Sequence, residues 1–295
     1  MELKHTAIRN GRLSSFLKEE MKMSTGLVNK LKWQDKIFVN GVPQHNDYAV
    51  KIGDVITAQL DEPTPEYPAE KGDLTILYED DYILAVDKPA GMLIHPSRAT
   101  MTGTLANRVV WYYQTTGQKS AFHPITRLDR DTFGVVLLAK NAHVHALLNE
   151  AHNRGQLRKT YHALVCGCPG ENEGAIDAPI ARRPLPSLLR YVNQDGKPSL
   201  TEFAVLKRFD GYAKLALRPV TGRTHQLRVH CSHMGFPILG DPQYGSEKSK
   251  KLSENMGFFT QQLCAKKLEF SHPITEKTMV LESKLSVLEC HCEEP

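Results

Sequence analysis

Three charged side chains lie close together in the stretch TRLDRD, at Arg127, Asp129 and Arg130, and Asp131 follows directly. A carboxylate between two arginines stays ionised at neutral pH, because nearby positive charge favours its charged form. The apolar run at residues 134–139 comes next and is typical of a buried strand. A loop at the end of a rigid strand can hold an anionic nucleophile or a phosphate-binding arginine in place. The same charges could equally form a salt-bridged turn that caps the strand, and this stretch alone leaves both readings open.

The longer stretch TRLDRDTFGVVLLAK resembles the RLDxxTSG signature of the RluA-type pseudouridine synthases. The resemblance implies that Asp129 is the catalytic aspartate. Two positions depart from the usual form of the motif: Thr126 stands where histidine is common, and Phe133 where serine or threonine is common. Neither is the catalytic position, so the departures bear on loop packing and substrate choice more than on the chemistry.

Further stretches resemble motifs of the same family. They are LAVDKPAGMLIHP at residues 84–96, RKTYHALV at 158–165, TGRTHQLRVH at 221–230, PILGDPQYG at 237–245 and LCAKKLEFSHP at 263–273. One such block could arise by chance, but blocks in the family's order across residues 74–273 are far more specific. Lys88 and Pro89 in the first block are expected to be structural.

The resemblance implies a role for several residues. Tyr161 would stack on the uracil, and its hydroxyl is a candidate to remove a proton from carbon 5. A free phenol has a pKa of about 10, so a role as base needs a neighbouring cation. Arg228 matches the arginine that pairs with the catalytic carboxylate and keeps it ionised. Without the motif, Tyr161 would be read as a half-buried core tyrosine.

Three further contacts are expected around the aspartate. Arg127 matches the arginine that fills the space left by a flipped base, where its planar guanidinium can stack and also bind phosphate. Arg223 is expected to contact RNA. Leu263 or Leu268 would form an apolar wall of the pocket, and the motif does not decide between them.

The implied reaction is isomerisation of uridine in RNA, in which the bond from C1′ to N1 breaks and C5 bonds to C1′. The target nucleotide must leave its stack to reach the carboxylate. Asp129 would either attack C1′ or remove the 2′ proton, and the sequence leaves both routes open. No redox or group transfer occurs, so no cofactor is expected, in keeping with the lack of nucleotide-binding glycine motifs. His225 and His230 are five residues apart, unlike helical zinc ligands, so no metal is expected.

Residues 1–60 resemble the S4 RNA-binding module. Residues 10–22 place Leu13, Phe16, Leu17 and Met21 on one helical face, Ser24 is a plausible N-cap of a second helix, and two short strands with Asn-Gly and Gly-Asp turns follow. The resemblance implies an RNA-binding surface formed by Arg12, Lys30, Lys32 and Lys36. Thr25 replaces the usual arginine after the capping serine, which weakens the expected phosphate contact. A small packing domain without a ligand is the alternative.

The domain organisation follows from these blocks. Residues 61–73 are acidic and proline-rich, which predicts a stiff linker whose charge keeps it away from the RNA groove. Residues 74–295 form the expected catalytic domain. The predicted fold class is α+β, with a mixed, mostly antiparallel sheet and flanking helices behind a small α+β N-terminal domain.

Composition sets the remaining bounds. The chain has 295 residues, 41% of them hydrophobic, and a net charge of only +4, so its overall charge is a weak indicator of nucleic-acid binding. No apolar run approaches the roughly 18 residues of a membrane helix, and the charged N-terminus is unlike a signal peptide. We expect a cytoplasmic monomer that acts on RNA, with ribosomal RNA favoured over tRNA.

Four of the six cysteines occur in closely spaced pairs. The pairs Cys166/Cys168 and Cys290/Cys292 lack the spacer of structural zinc sites, so reduced, buried thiols are expected.

Two other functions are alternatives to RNA modification. A non-catalytic RNA-binding protein with a degenerate synthase domain is the main alternative. A metal-dependent hydrolase that uses the thirteen histidines is a second one, which the spacings support poorly.

Overall fold

The computed structural model describes residues 2–61, 67–97 and 100–287. The predicted thiols Cys290 and Cys292 and residues 62–66 of the predicted linker lie outside the described residues.

The N-terminal part contains short helices beside a small antiparallel sheet. Its elements are β1 (Glu2–Thr6), β2 (Gly11–Arg12), α1 (Leu13–Ser15), a π-helical turn (Phe16–Glu20), α2 (Thr25–Trp33), β3 (Ile37–Val39), β4 (Val42–Pro43), β5 (Ala49–Val50) and β6 (Val55–Gln59). The main sheet has the order β1-β6-β3-β4, and β2 pairs with β5. All four residues of the predicted apolar face in the first helix are buried in one cluster, and the Ser24 side chain caps α2 by accepting a bond from Leu27 N–H at 3.2 Å.

Two details of this part differ from the prediction. The first helix is shorter than residues 10–22, because α1 passes after one turn into the π-helical turn. Strand β1 was not predicted. It is mostly polar and buries only Leu3, so its sequence carries little strand signal, and pairing with β6 defines it.

The second part carries the larger sheet. Its elements are β7 (Thr75–Glu79), β8 (Ile83–Lys88), α3 (Leu105–Thr115), β9 (His123–Pro124), β10 (Phe133–Ala139), α4 (Ala142–Asn153), β11 (Arg158–Cys166), β12 (Glu173–Asp177), β13 (Ile180–Arg182), β14 (Arg190–Val192), β15 (Leu200–Arg208), β16 (Tyr212–Pro219), α5 (Gln226–His233), α6 (Glu247–Asn255), β17 (Leu263–Ser271) and β18 (Thr278–Glu282).

The sheet order is β12-β15-β16-β11-β17-β10-β8-β7, with β18 beside β17 and β9 beside β10. Strands β10 and β17 run parallel, and the other pairs of this sheet are antiparallel. The predicted α+β class with a mixed, mostly antiparallel sheet is therefore confirmed.

Strand β10 lies at the centre of the core, and all seven of its residues are buried. Its alternate side chains enter two clusters: Val135 and Leu137 pack towards helix α4, whereas Val136 and Leu138 pack towards helix α3. Helices thus cover both faces of the strand. Since the charged loop 127–131 leads directly into β10, the loop starts from one of the most firmly held points of the fold.

Gly134 permits the close approach of β10 to β17. Its φ is +111°, and a Cβ at this position would lie 2.4 Å from the carbonyl oxygen of Ala265, its partner in the parallel pair. The backbone oxygen cannot move aside without breaking the sheet. Only glycine fits here.

We predict that Gly134→Ala lowers the free energy of unfolding by about 3 to 4 kcal/mol, because it combines backbone strain with a clash against backbone atoms. Chemical denaturation measures the change. Gly117→Ala is the matched control, since Gly117 also has a positive φ (+68°) but no atom within 4 Å of the added carbon. Its loss should be about 1 kcal/mol. If both variants lose the same free energy of unfolding, then backbone strain alone, and not the contact with β17, explains why residue 134 is glycine.

Candidate active site

Asp129 lies in the loop between β9 and β10 at the wall of a cavity of about 470 Å³. Its Oδ2 is 3.1 Å from Nη1 of Arg228, which α5 supplies from almost one hundred residues further along the chain. Tyr161 on β11 lines the same cavity. The structure therefore brings the three residues expected to be catalytic together around one space.

Arg127, Arg223 and Leu263 also line the cavity. Leu268 does not: it is buried in the core cluster that contains Leu148 of α4. Of the two alternatives for the pocket wall, Leu263 is therefore the one that lines the cavity. Leu268 lies further along β17, opposite Lys159 of β11 and beyond an irregularity in the pairing of the two strands. This position places the Leu268 side chain under α4.

Arg228 is held by groups other than Asp129. Its Nε is 2.7 Å from Asp241 Oδ2, its Nη2 is 2.8 Å from both Asp241 Oδ1 and Gln243 Oε1, and its guanidinium lies 4.8 Å from the centre of the Tyr244 ring. Burial alone would lower the pKa of Arg228, but hydrogen bonds and the charges of Asp241 and Asp129 outweigh burial and raise it. The arginine is a permanently charged group in a fixed orientation.

The arginines beside Asp129 in sequence do not pair with it. Arg130 forms an ion pair with Asp131 at 3.2 Å, and Arg127 is exposed at the cavity. The expectation that the two flanking arginines stabilise the carboxylate is therefore corrected: the distant Arg228 does so. Neighbours in an irregular loop need not point the same way, whereas the guanidinium on α5 faces the loop directly.

Lys88 fixes the same loop from beneath. Its buried Nζ donates hydrogen bonds to three backbone carbonyl groups, those of Pro89 (2.9 Å), Met92 (2.8 Å) and Arg130 (2.9 Å). Burial lowers the pKa of Lys88 to about 8, and the two carboxylates of the loop partly oppose that shift. The structural role expected for this lysine thus has a specific form, since it ties the loop to the turn after β8.

The two departures from the family motif are both buried. The Thr126 hydroxyl accepts a hydrogen bond from Leu137 N–H at 3.0 Å, which fastens the start of the loop to β10. Phe133 packs in an apolar cluster and pairs with Cys264 across the parallel strands. Both substitutions lie in the packing behind the loop and not in the cavity.

Tyr161 is half-buried, and burial raises its pKa above the usual value, with a further rise from the negative charge of Asp129. The charged neighbour of Tyr161 is therefore the anion Asp129, whereas a role as base was expected to need a neighbouring cation. In the protein without RNA the phenol is protonated.

Sequence reasoning assigned no role to Lys159, which the structure places in the cavity two residues before Tyr161 on the same strand. Burial lowers the pKa of Lys159 to about 8, and its Nζ lies 3.5 Å from Nε2 of His152. The sequence signal that could have identified Lys159 is the alternation of side chains along β11, because Lys159 and Tyr161 lie on the same face of the strand.

The structure places His225, for which the sequence analysis expected no metal-binding role, beside the aspartate. Its Nε2 lies 3.8 Å from Asp129 Oδ2. Helix α5 starts at Gln226, directly after His225, whose backbone is left-handed with φ 58°. For a non-glycine residue this conformation costs about 1 kcal/mol, and such strain concentrates at functional sites.

His230 is a core residue. It is fully buried, and its two ring nitrogens lie 3.0 Å from Thr201 Oγ1 and from the carbonyl oxygen of Ala178. Among the described residues no group of three or more His, Cys, Asp or Glu side chains could hold a metal ion. Three of the four described thiols are buried, and Cys168 is exposed.

The basic residues of the N-terminal part lie outside the cavity. Arg12 and Lys30 are exposed, and Lys32 and Lys36 are half-buried. Lys30 Nζ is 3.6 Å from Asp61 Oδ2, and Lys36 forms an ion pair with the same carboxylate. Asp61, the first residue of the predicted linker, is therefore the partner of both lysines, because the end of β6 brings it against α2 and β3.

Comparison with known proteins agrees with this geometry. Residues 82–233 match the family model described as RNA pseudouridylate synthase. The chain is 36% identical over 269 residues to the uncharacterized RNA pseudouridine synthase YjbO of Bacillus subtilis, covering 90% of this chain and 93% of the relative. It is 33% identical over 257 residues to ribosomal large subunit pseudouridine synthase D of Pasteurella multocida, covering 83% and 78%.

A solved structure is similar as well. Human RNA Pseudouridylate Synthase Domain Containing 1 superposes with a TM-score of 0.60 at 26% identity, covering 73% of this chain and 86% of the human one. Among the described residues no helix is long and apolar enough to cross a membrane.

The matching family model and the similarity to these relatives show that the chain belongs to the RNA pseudouridine synthases, the enzymes that isomerise uridine in RNA to pseudouridine.

Proposed function

We propose that this enzyme modifies uridine in ribosomal RNA, and that Asp129 is the group that acts on the sugar. The observation that carries the proposal is the 3.1 Å pair between Asp129 and Arg228 at the wall of the cavity. Arg228 fixes the direction of the carboxylate, while the cavity keeps it accessible.

The space at the carboxylate suits one nucleotide. A cavity of about 470 Å³ lies within the range of small-molecule sites, and a base within a helix could not reach Asp129 without leaving the stack. Arg228 holds Oδ2, so we expect Oδ1 to be the oxygen that meets the sugar. Either attack on C1′ or removal of the 2′ proton by this oxygen would release the base from C1′.

Tyr161 and two arginines complete the proposed site. The Tyr161 ring would stack on the freed uracil as it turns from N1 to C5. Arg127 is exposed at the cavity mouth, where its flat guanidinium could occupy the place that the flipped base leaves. Arg223 is exposed on the opposite segment, where it could contact a phosphate of the same strand.

The choice of ribosomal RNA rests on two supports. Relatives of this chain carry the name ribosomal large subunit pseudouridine synthase D. The N-terminal part, with Arg12, Lys30, Lys32 and Lys36, is proposed to be an S4-like module that contacts the RNA outside the cavity. One chain supplies every residue of the proposed site, so we propose that it acts as a monomer, in the cytoplasm.

We predict that Asp129→Asn lowers the rate of pseudouridine formation by at least about 1,000-fold, because the amide can neither attack C1′ nor take a proton. RNA affinity should stay within about threefold, since Arg127, Arg223 and the N-terminal part are unchanged. Primer extension after chemical marking of pseudouridine measures the product, and filter binding measures affinity.

Asp210→Asn is the matched control, since Asp210 is exposed in the turn between β15 and β16. It should retain full activity. Unimpaired product formation by Asp129→Asn would contradict the assigned role. If the unsubstituted protein binds RNA but forms no pseudouridine, the site is degenerate and the protein is a binding module only.

We predict that Asp61→Asn raises RNA affinity about threefold and steepens its dependence on salt, because Lys30 and Lys36 become free to release counterions from phosphate. Filter binding over a series of KCl concentrations measures both effects. Asp47→Asn removes an exposed carboxylate of the same domain and serves as control. An unchanged salt slope in Asp61→Asn would assign RNA binding to the other domain alone.

A further inference from the structure

Tyr244 connects the hairpin of β13 and β14 to the active site. The backbone N–H of Arg190 donates a hydrogen bond to Tyr244 Oη at 2.9 Å. The same Oη lies 2.8 Å from Nδ1 of His225, and the two rings meet edge to face with centres 5.6 Å apart. The ring of Tyr244 also packs against the guanidinium of Arg228. One side chain therefore touches both groups that face Asp129.

The direction of these hydrogen bonds follows from the donor at Arg190. A backbone N–H can only donate, so Tyr244 Oη accepts from it. Among the described residues His225 Nδ1 is the other group in hydrogen-bond range of Oη. A proton on Nδ1 would leave the phenol proton without an acceptor among the described residues, whereas a bare Nδ1 accepts it. The single proton of a neutral His225 then lies on Nε2.

His225 Nε2 is the ring atom that faces Asp129 Oδ2, at 3.8 Å. Burial lowers the pKa of His225; the cations of Arg228 and Arg190 lower it further, and the carboxylates of Asp129 and Asp241 oppose them. The imidazole is therefore neutral at physiological pH. A neutral N–H orients a carboxylate without cancelling its charge.

We propose that His225 is a positioning residue, which presents Nε2–H to Asp129 Oδ2, and that Tyr244 fixes this tautomer through its hydroxyl. The inference builds on the proposed role of Asp129 and adds a second donor beside Arg228. The left-handed backbone of His225 supports it, because a strained residue is retained where its side chain must point in one direction. Hydrogen bonds of this kind are often long without substrate and shorten in the complex.

The tautomer is measured on the free protein by ¹⁵N NMR of histidine-labelled samples, without RNA or turnover. We expect the wild-type His225 signal to show a neutral ring with the proton on Nε2. Tyr244→Phe keeps the ring against Arg228 but removes the hydroxyl, so this single tautomer should be lost and the pKa of His225 should rise. Tyr78→Phe, which removes a hydroxyl hydrogen bond to Asp80 at the far edge of the sheet, should leave the signal unchanged. A wild-type proton on Nδ1 would overturn the inference.

Activity provides the second readout. Tyr244→Phe should slow single-turnover pseudouridine formation about 10-fold, a typical factor for one hydrogen bond in a site with charged groups, with RNA affinity unchanged. His225→Gln, whose amide can donate, should retain more activity than His225→Leu, and both carry the same backbone strain. Equal loss in these two variants would show that His225 only packs. If instead the role proposed for Asp129 is wrong, Asp129→Asn will retain activity and the NMR result will be unaffected.

Discussion

The buried guanidinium of Arg228 is the group on which the arrangement of the site depends. A charge removed from water needs a partner, and Asp241, whose side chain is fully buried, binds two of its three nitrogens. Since Asp241 already neutralises the arginine, Asp129 on the third nitrogen is oriented without being sequestered. Its side chain stays 31% exposed, against 6% for Arg228, so the carboxylate can still meet a substrate.

The loop that carries Asp129 is fixed at several points by groups that never enter the cavity. Thr126 attaches its start to β10, Lys88 binds the carbonyl oxygen of Arg130, and Gln261 donates to Thr132 Oγ1 at 2.5 Å. Helices cover both faces of the strand that follows. A short irregular segment thereby has the rigidity of the core while its reactive side chain remains at the surface of a cavity, as orientation-dependent catalysis requires.

The sequence predicted the core elements well because burial leaves a periodic pattern. Strand β10 and the buried face of the first N-terminal helix were recognised from their apolar residues. The pairing of Asp129 with Arg228 came from the family resemblance, since no local pattern links residues so far apart. Local patterns did not show which charges pair in the folded chain: Arg130 pairs with Asp131, and Lys36 pairs with Asp61. The motif around Tyr244 was noticed without a role, because its contacts to His225 and Arg190 exist only in the folded chain.

The protonation state of Tyr161 limits its part in the proposed chemistry. Burial raises the pKa of Tyr161, and the negative charge of Asp129 raises it further, so the phenol is protonated at the start of the reaction. Both proposed first steps remove that charge, one by forming an ester at C1′ and the other by protonating the carboxylate. Burial, the larger cause of the raised pKa of Tyr161, remains after that charge is gone, so the phenol keeps its own proton. A protonated phenol has no place for the C5 proton, so the part proposed for Tyr161 is to stack on the uracil rather than to act as the base.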